Sequence, residues 1–125
     1  MSSAKPSAKK VVLVVEDEPV LLMYAASIIE DAGFDAVVAH NADDAIRILE
    51  TRLDIRVVFT DIEMPGSMDG MKLARAIRDR WPPIELILTS GLTKVCHEDI
   101  PARGCFFAKP YRPSDIADAL HRMTS

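Results

Sequence analysis

Residues 55–61 read Ile55-Arg56-Val57-Val58-Phe59-Thr60-Asp61, an apolar run that stops abruptly on an acid. Ile55–Thr60 is too short for a helix and rich in β-branched and aromatic side chains, so it predicts a strand. Its apolar residues do not alternate with polar ones, which is the pattern of a strand covered on both faces. The same grammar recurs on either side. Val11–Val15 is a second continuous run, closed by Glu16-Asp17-Glu18. Asp35–His40, Ile84–Thr89 and Gly104–Ala108 supply three more strands, the last two followed at once by Ser90 and Lys109.

Between the strands the apolar residues change to helical spacing. Leu21, Leu22, Ala25, Ile28 and Ile29 mark a helix that Pro19 can open and Gly33 can stop. Ala42–Arg52 follows Asn41 as its cap, with Ala45, Ile46 and Leu49 on one face. Gly70–Arg80 turns Met71, Leu73, Ala74 and Ile77 inward and ends at Trp81-Pro82-Pro83, and Pro113–Met123 buries Ile116, Ala119 and Leu120. Strands alternating with helices predict a parallel sheet with helices on both faces. Residues 1–10, poor in apolar residues, predict a disordered tail, and 11–123 a single domain.

Composition agrees. At 125 residues, 49% hydrophobic and 27% charged, the chain is long enough to bury a core without metal or disulfide staples. A net charge of −4 argues against direct nucleic-acid binding by charge. No apolar run is long enough for a membrane span, and with no signal peptide in view the expected location is cytoplasmic. Cys96 and Cys105 are therefore expected to be reduced packing residues, and His40, His97 and His121 to be ordinary surface or core histidines.

In a parallel α/β sheet the reactive crevice lies beyond the carboxyl ends of the strands. Four different strands deliver Glu16-Asp17, Asp61, Ser90 and Lys109 to that edge. Two carboxylates about 4 Å apart repel by roughly 4 kcal/mol at an effective dielectric of about 20, so Glu16, Asp17 and Asp61 together call for a cation. Mg²⁺ suits an all-oxygen set with no Cys or His.

Glu16-Asp17, Asp61 with Met64-Pro65 and Asp69-Gly70, Thr89-Ser90-Gly91 and Lys109-Pro110 together resemble the receiver domain of two-component response regulators, over roughly residues 11–123. The resemblance implies a flavodoxin-like, doubly wound five-stranded parallel sheet in the order 2-1-3-4-5. It implies that Asp61 accepts a phosphoryl group from a histidine kinase or histidine phosphotransfer protein, in a reaction dependent on Mg²⁺ or Mn²⁺. Asp17 would hold the metal directly and Glu16 through water, with Asp61 and the backbone carbonyl of Glu63 completing the protein ligands. Ser90 would bond one phosphoryl oxygen, Lys109 would neutralise another, and the Lys109-Pro110 bond would be cis. Ser90 and Phe106 would form the switch that informs a downstream protein target. Such a domain catalyses its own phosphorylation and dephosphorylation, and is no enzyme in the ordinary sense. A homodimer is compatible with the resemblance.

Three departures stand out. One extra residue separates Pro65 from Asp69, predicting a longer loop at Gly66-Ser67-Met68. Phe106 lacks the hydroxyl of the tyrosine common at that position. The short segment from Gly91 to Gly104, with Pro101 inside it, predicts a fourth helix that is short or irregular and a mobile signalling element. The alternative is a pseudo-receiver that only binds proteins. A flavin module would need a phosphate cradle where Glu16-Asp17-Glu18 stands, and a dehalogenase-type phosphatase would carry its nucleophile after the first strand.

Overall fold

The computed structural model describes residues 9–64, 68–91 and 95–125. Its strands are β1 (Val11–Val15), β2 (Asp35–Ala39), β3 (Ile55–Asp61), β4 (Glu85–Ser90) and β5 (Gly104–Ala108). All neighbouring pairs are parallel, in the order β2-β1-β3-β4-β5. The connecting helices are α1 (Pro19–Asp31), α2 (Ala42–Thr51) and α3 (Gly70–Arg80), with α4 (Pro113–Thr124) closing the chain. The strand order reverses between β1 and β3, which is the switch point of a doubly wound sheet.

Two apolar layers result, one on each face. Leu13, Val15 and Val58 pack with Leu49 of α2 and Leu73 and Ile77 of α3, while Val12, Val14 and Val57 pack with Ile29 of α1 and Ile116 and Leu120 of α4. The central strands behave as their continuous runs predict: every residue of β1 is buried, and β3 exposes only Arg56. The outer strands differ. Most of β2 and all of β5 are half-buried or exposed, because an edge strand has a neighbour on one side only. Leu21, expected on the buried face of α1, is 42% exposed.

Local chemistry fixes where the helices begin. The Asn41 side chain accepts from the Asp44 N–H at 2.7 Å and Asp69 from the Lys72 N–H at 2.9 Å, each meeting a donor that the first turn leaves without a helical partner. Gly33 takes φ 98°, a conformation glycine adopts freely, and turns the chain into β2. Between β4 and β5 the described residues form a single 3-10 turn, His97–Asp99, in place of a full helix. The expectations for residues 1–8, for Pro65, Gly66 and Ser67, and for Leu92, Thr93 and Lys94 lie outside the described residues. Lys10, assigned to the tail by the sequence, is tied at both ends: its carbonyl accepts from Asp35 N–H and its ammonium donates to the Thr124 carbonyl at the end of α4.

Candidate functional site

The strand ends meet as expected, with one refinement: Asp61 and Ser90 are the last residues of β3 and β4 rather than the first beyond them. Strand geometry therefore fixes their backbones. Asp61 pairs in register with Thr89, and the next N–H, of Ile62, donates to the Thr89 carbonyl at 2.8 Å. The Lys109 N–H donates to the Ser90 carbonyl at 2.9 Å, drawing the end of β5 onto β4, and the Lys109-Pro110 bond is cis.

Around Asp61 the charges crowd. One oxygen each from Glu16, Asp17 and Asp61 lie within 4.8 Å of one another. Glu16 and Asp61 are 6% and 5% exposed, whereas Asp17 faces solvent. The Lys109 ammonium stands 3.0 Å from Asp61 Oδ2 and 3.6 Å from Glu16 Oε1. One ammonium does not balance three carboxylates. Burial pushes the Asp61 carboxyl above the ordinary carboxylate range, and Lys109 offsets this only in part. Burial raises Glu16 as well, helped by the charge of Asp61 and opposed by the N–H of Glu18 and by Lys109. Burial alone would lower Lys109, but its bond to Asp61 and the charges of Asp61 and Glu16 outweigh that and hold it up.

A cation suits this set on independent grounds. Asp61 Oδ1 is buried and has no hydrogen-bond partner among the described residues. An ionised oxygen in that condition is costly in a folded protein unless something positive reaches it. The donor set is oxygen throughout, and the exposed side of Asp17 leaves room for retained water, both of which fit Mg²⁺.

Features that the sequence did not disclose complete the site. Glu63, in the loop after β3, turns its carboxylate to β4: Oε2 accepts from the Ser90 hydroxyl at 2.5 Å and Oε1 from the Gly91 N–H at 3.1 Å. Gly70 opens α3 directly against the end of β3, where a Cβ would lie 2.0 Å from the Asp61 carbonyl oxygen. The Asp69-Gly70 pair was the available signal for that approach; nothing in the sequence pointed to the Glu63 contact. Beside Lys109, a cleft of about 310 Å³ is lined by Glu16, Leu21, Tyr24, Pro110 and Tyr111. Tyr111 stacks on Tyr24 at 6.3 Å and meets Phe59 edge-on at 5.7 Å, and burial followed by the proximity of Tyr24 pushes its hydroxyl up to about 12.

Phe106 lies on β5, half-buried against the α2–α3 layer with Val95 and Ile100. Of the histidines, His121 packs on Phe34 at 5.1 Å and the exposed His40 donates its backbone N–H to Asp44. Cys96 and Cys105 are free thiols. Met64 is buried in the α2–α3 layer.

The family model described as the response regulator receiver domain matches residues 12–121. The aerobic respiration control protein ArcA of Escherichia coli is 32% identical over 117 residues, 91% of this chain and 48% of that protein. The nitrogen assimilation regulatory protein NtrX of Azorhizobium caulinodans is 35% identical over 81 residues, 64% of this chain and 18% of that protein. The chain thus spans half or less of these relatives. Among solved structures, a response regulator receiver protein from Pseudomonas putida superposes with a TM-score of 0.82 at 27% identity, covering 94% of this chain and 99% of the other.

Proposed function

We propose, for a chain that belongs to the response regulator receiver domain family, that Asp61 is its phosphoacceptor and that Glu16, Asp17, Asp61 and Lys109 form the transfer site. Receiver domains are signalling modules that work with kinases or phosphotransfer proteins on one side and effectors on the other. The observation that carries the residue assignment is the buried Asp61 carboxylate, held by Lys109 through one oxygen while the other has no hydrogen-bond partner among the described residues.

In the transfer, an Asp61 carboxylate oxygen forms a bond to the phosphorus of a phosphohistidine as the P–N bond breaks. The electron pair of that bond leaves with the imidazole nitrogen, and the product is an acyl phosphate. Asp17, Asp61 and the Glu63 carbonyl would hold Mg²⁺ or Mn²⁺, with Glu16 acting through water. That ion supplies charge neutralisation to the phosphoryl oxygens. The chain's own part is positioning and electrostatics, which dominate phosphoryl transfer. Lys109 neutralises one equatorial oxygen, the Ser90 hydroxyl donates to another, and β3 holds the nucleophile rigid.

The donor protein would approach over α1. Leu21 and Tyr24 line the cleft beside Lys109, and the same helix exposes Val20 and Met23, an apolar surface of the kind protein partners cover. No described helix is long and apolar enough to cross a membrane, and we assign the reaction to the cytoplasm.

Incubation with acetyl phosphate and Mg²⁺ tests the reading. The intact mass should rise by one phosphoryl group, and Asp61→Asn or removal of the metal with a chelator should prevent it. Equal labelling of the Asn variant would overturn the assignment. A wild-type protein that stays unmodified would favour the pseudo-receiver.

A further inference from the structure

We propose that the Glu63 side chain is an internal latch that occupies the Ser90 hydroxyl, the phosphoryl-binding donor at the end of β4, in the unphosphorylated protein and must be displaced when Asp61 is modified. The proposal rests on the phosphoacceptor reading above and concerns how that site is regulated.

The geometry is two-pronged. One carboxylate oxygen takes the Ser90 hydroxyl at 2.5 Å, and the other takes the Gly91 N–H at 3.1 Å. Both donors sit where β4, the strand paired with Asp61, ends: Ser90 is its last residue, 2% exposed, and Gly91 follows it. A carboxylate gripping two adjacent donors is a fair imitation of an anionic phosphoryl group, since each presents charged oxygens to the same N–H and O–H. Yet a hydroxyl carries a single proton. If Ser90 donates to Glu63 it has nothing to donate to a phosphoryl oxygen, so the two acceptors exclude each other at that side chain.

Two consequences follow. The unphosphorylated state is held by a contact that competes with the product, and the apparent affinity of the site for a phosphoryl group is reduced by the fraction of molecules still latched. When Ser90 changes acceptor, Gly91 also loses its carboxylate partner. The first residue of the segment joining β4 to β5 is thereby released, and a change at one bond reaches the chain that leads to Phe106.

Beryllium fluoride with Mg²⁺, a phosphoryl mimic, provides the test when titrated calorimetrically into wild type, Glu63→Ala, Ser90→Ala and the double variant. Glu63→Ala should tighten binding about tenfold, the equivalent of one charge-assisted hydrogen bond no longer competing. In the Ser90→Ala background the same substitution should give only about twofold, the part due to removing a nearby negative charge. Glu63→Gln, which keeps the side-chain length, should tighten binding by an intermediate factor. Binding unchanged or weaker in both Glu63 variants, or a gain equally large without Ser90, would overturn the latch. A second readout needs no phosphoryl analogue: in the unmodified protein the Gly91 amide should exchange with solvent about tenfold faster in Glu63→Ala, and equal exchange would also overturn it. Failure of the underlying reading looks different, because beryllium fluoride binding would then survive Asp61→Asn while the Gly91 measurement still decided the latch.

Discussion

The two ends of the sheet hold their charges in opposite ways. At the end where the strands begin, Arg80 pairs with Glu50 at 2.8 Å and Arg52 with Asp54 at 2.7 Å, all four side chains well exposed and each acid matched to one base. At the end where the strands finish, three acids crowd together, and among the described residues Lys109 alone pairs with any of them, the buried Glu16 and Asp61. The first arrangement is what a fold tolerates at little gain or loss. The second departs from what stability favours, and such departures concentrate where a protein acts. Four predictions sharpen the contrast, taken from the largest expected effect down.

Gly70→Ala should do most damage. Its new methyl would sit 2.0 Å from the Asp61 carbonyl oxygen, and its nearest neighbours, Asp61 C and O and Ile62 Cα, are all main chain, which leaves nothing flexible to give way. Overpacking costs about 1–3 kcal/mol, and a clash against main chain belongs at the upper end. Urea denaturation should show a midpoint lowered accordingly. A loss under about 0.5 kcal/mol would mean that α3 can slide away from the acidic end, and that this end is less rigid than its buried strands imply.

Magnesium comes next. A cation that binds only the folded state at about a hundred times its dissociation constant adds about 2.7 kcal/mol. Melting temperature should therefore climb with Mg²⁺ in wild type. Asp17→Asn should blunt that rise more than Glu16→Gln, because an inner-sphere ligand is lost in one case and a water-mediated one in the other. Calorimetric titration gives the same comparison directly, and equal losses would remove the distinction between the two acids.

What the sequence made legible divides along the same line. The core strands announced themselves because Val11–Val15 and Val57–Phe59 are apolar without interruption, and the start of α2 because Asn41 stands where a cap belongs. Asp61, Ser90 and Lys109 were visible as polar residues that interrupt apolar runs, and the structure brings all three to one edge. Edge effects were not visible: β5 reads as apolar as the centre, yet it is half-exposed because no strand follows it. Side-chain direction was invisible too. Whether Glu63 turns to water, to the metal site or to Ser90 depends on a loop conformation that no periodicity encodes. That the described residues between β4 and β5 form only a short 3-10 turn was legible, since Pro101 and poor helix formers leave little to build a longer helix.

Asp61→Asn should raise stability while ending phosphorylation. Burial lifts the folded Asp61 pKa above its unfolded value, so folding favours the protonated form. Stability from this group is complete below about pH 4, the unfolded value. It is then lost as pH rises through the folded pKa, because the unfolded state has already released its proton and the native state still holds one. The loss accrues between those two values, and the neutral amide does not suffer it. A melting temperature higher than that of wild type at pH 7, with the difference shrinking toward zero as pH falls below about 4, is expected from thermal scans. A destabilised variant would show that the Lys109 bond outweighs burial.

The smallest effect belongs to the other end. Glu50→Gln removes the charge opposite Arg80, but both side chains are about half exposed, at 49% and 47%, and Arg80 keeps its stacking on Trp81 at 4.4 Å. Exposed pairs contribute about 0.2–1 kcal/mol, and the amide oxygen can still accept from the guanidinium. Chemical denaturation in urea should therefore place the variant within about 0.5 kcal/mol of wild type, and 0.5 M NaCl should erase even that, since about 4 Å of screening length leaves little of a solvated pair. The sign matters as much as the size: neutralising an acid here should cost slightly, while neutralising Asp61 should help. If Glu50→Gln were also stabilising, the excess of acid would be a property of the whole chain, whose net charge is −4, and the site end would lose its distinction. If it cost more than about 1 kcal/mol, the pair would be acting as a clamp between α2 and α3, and charge at the far end would be structural rather than merely tolerated.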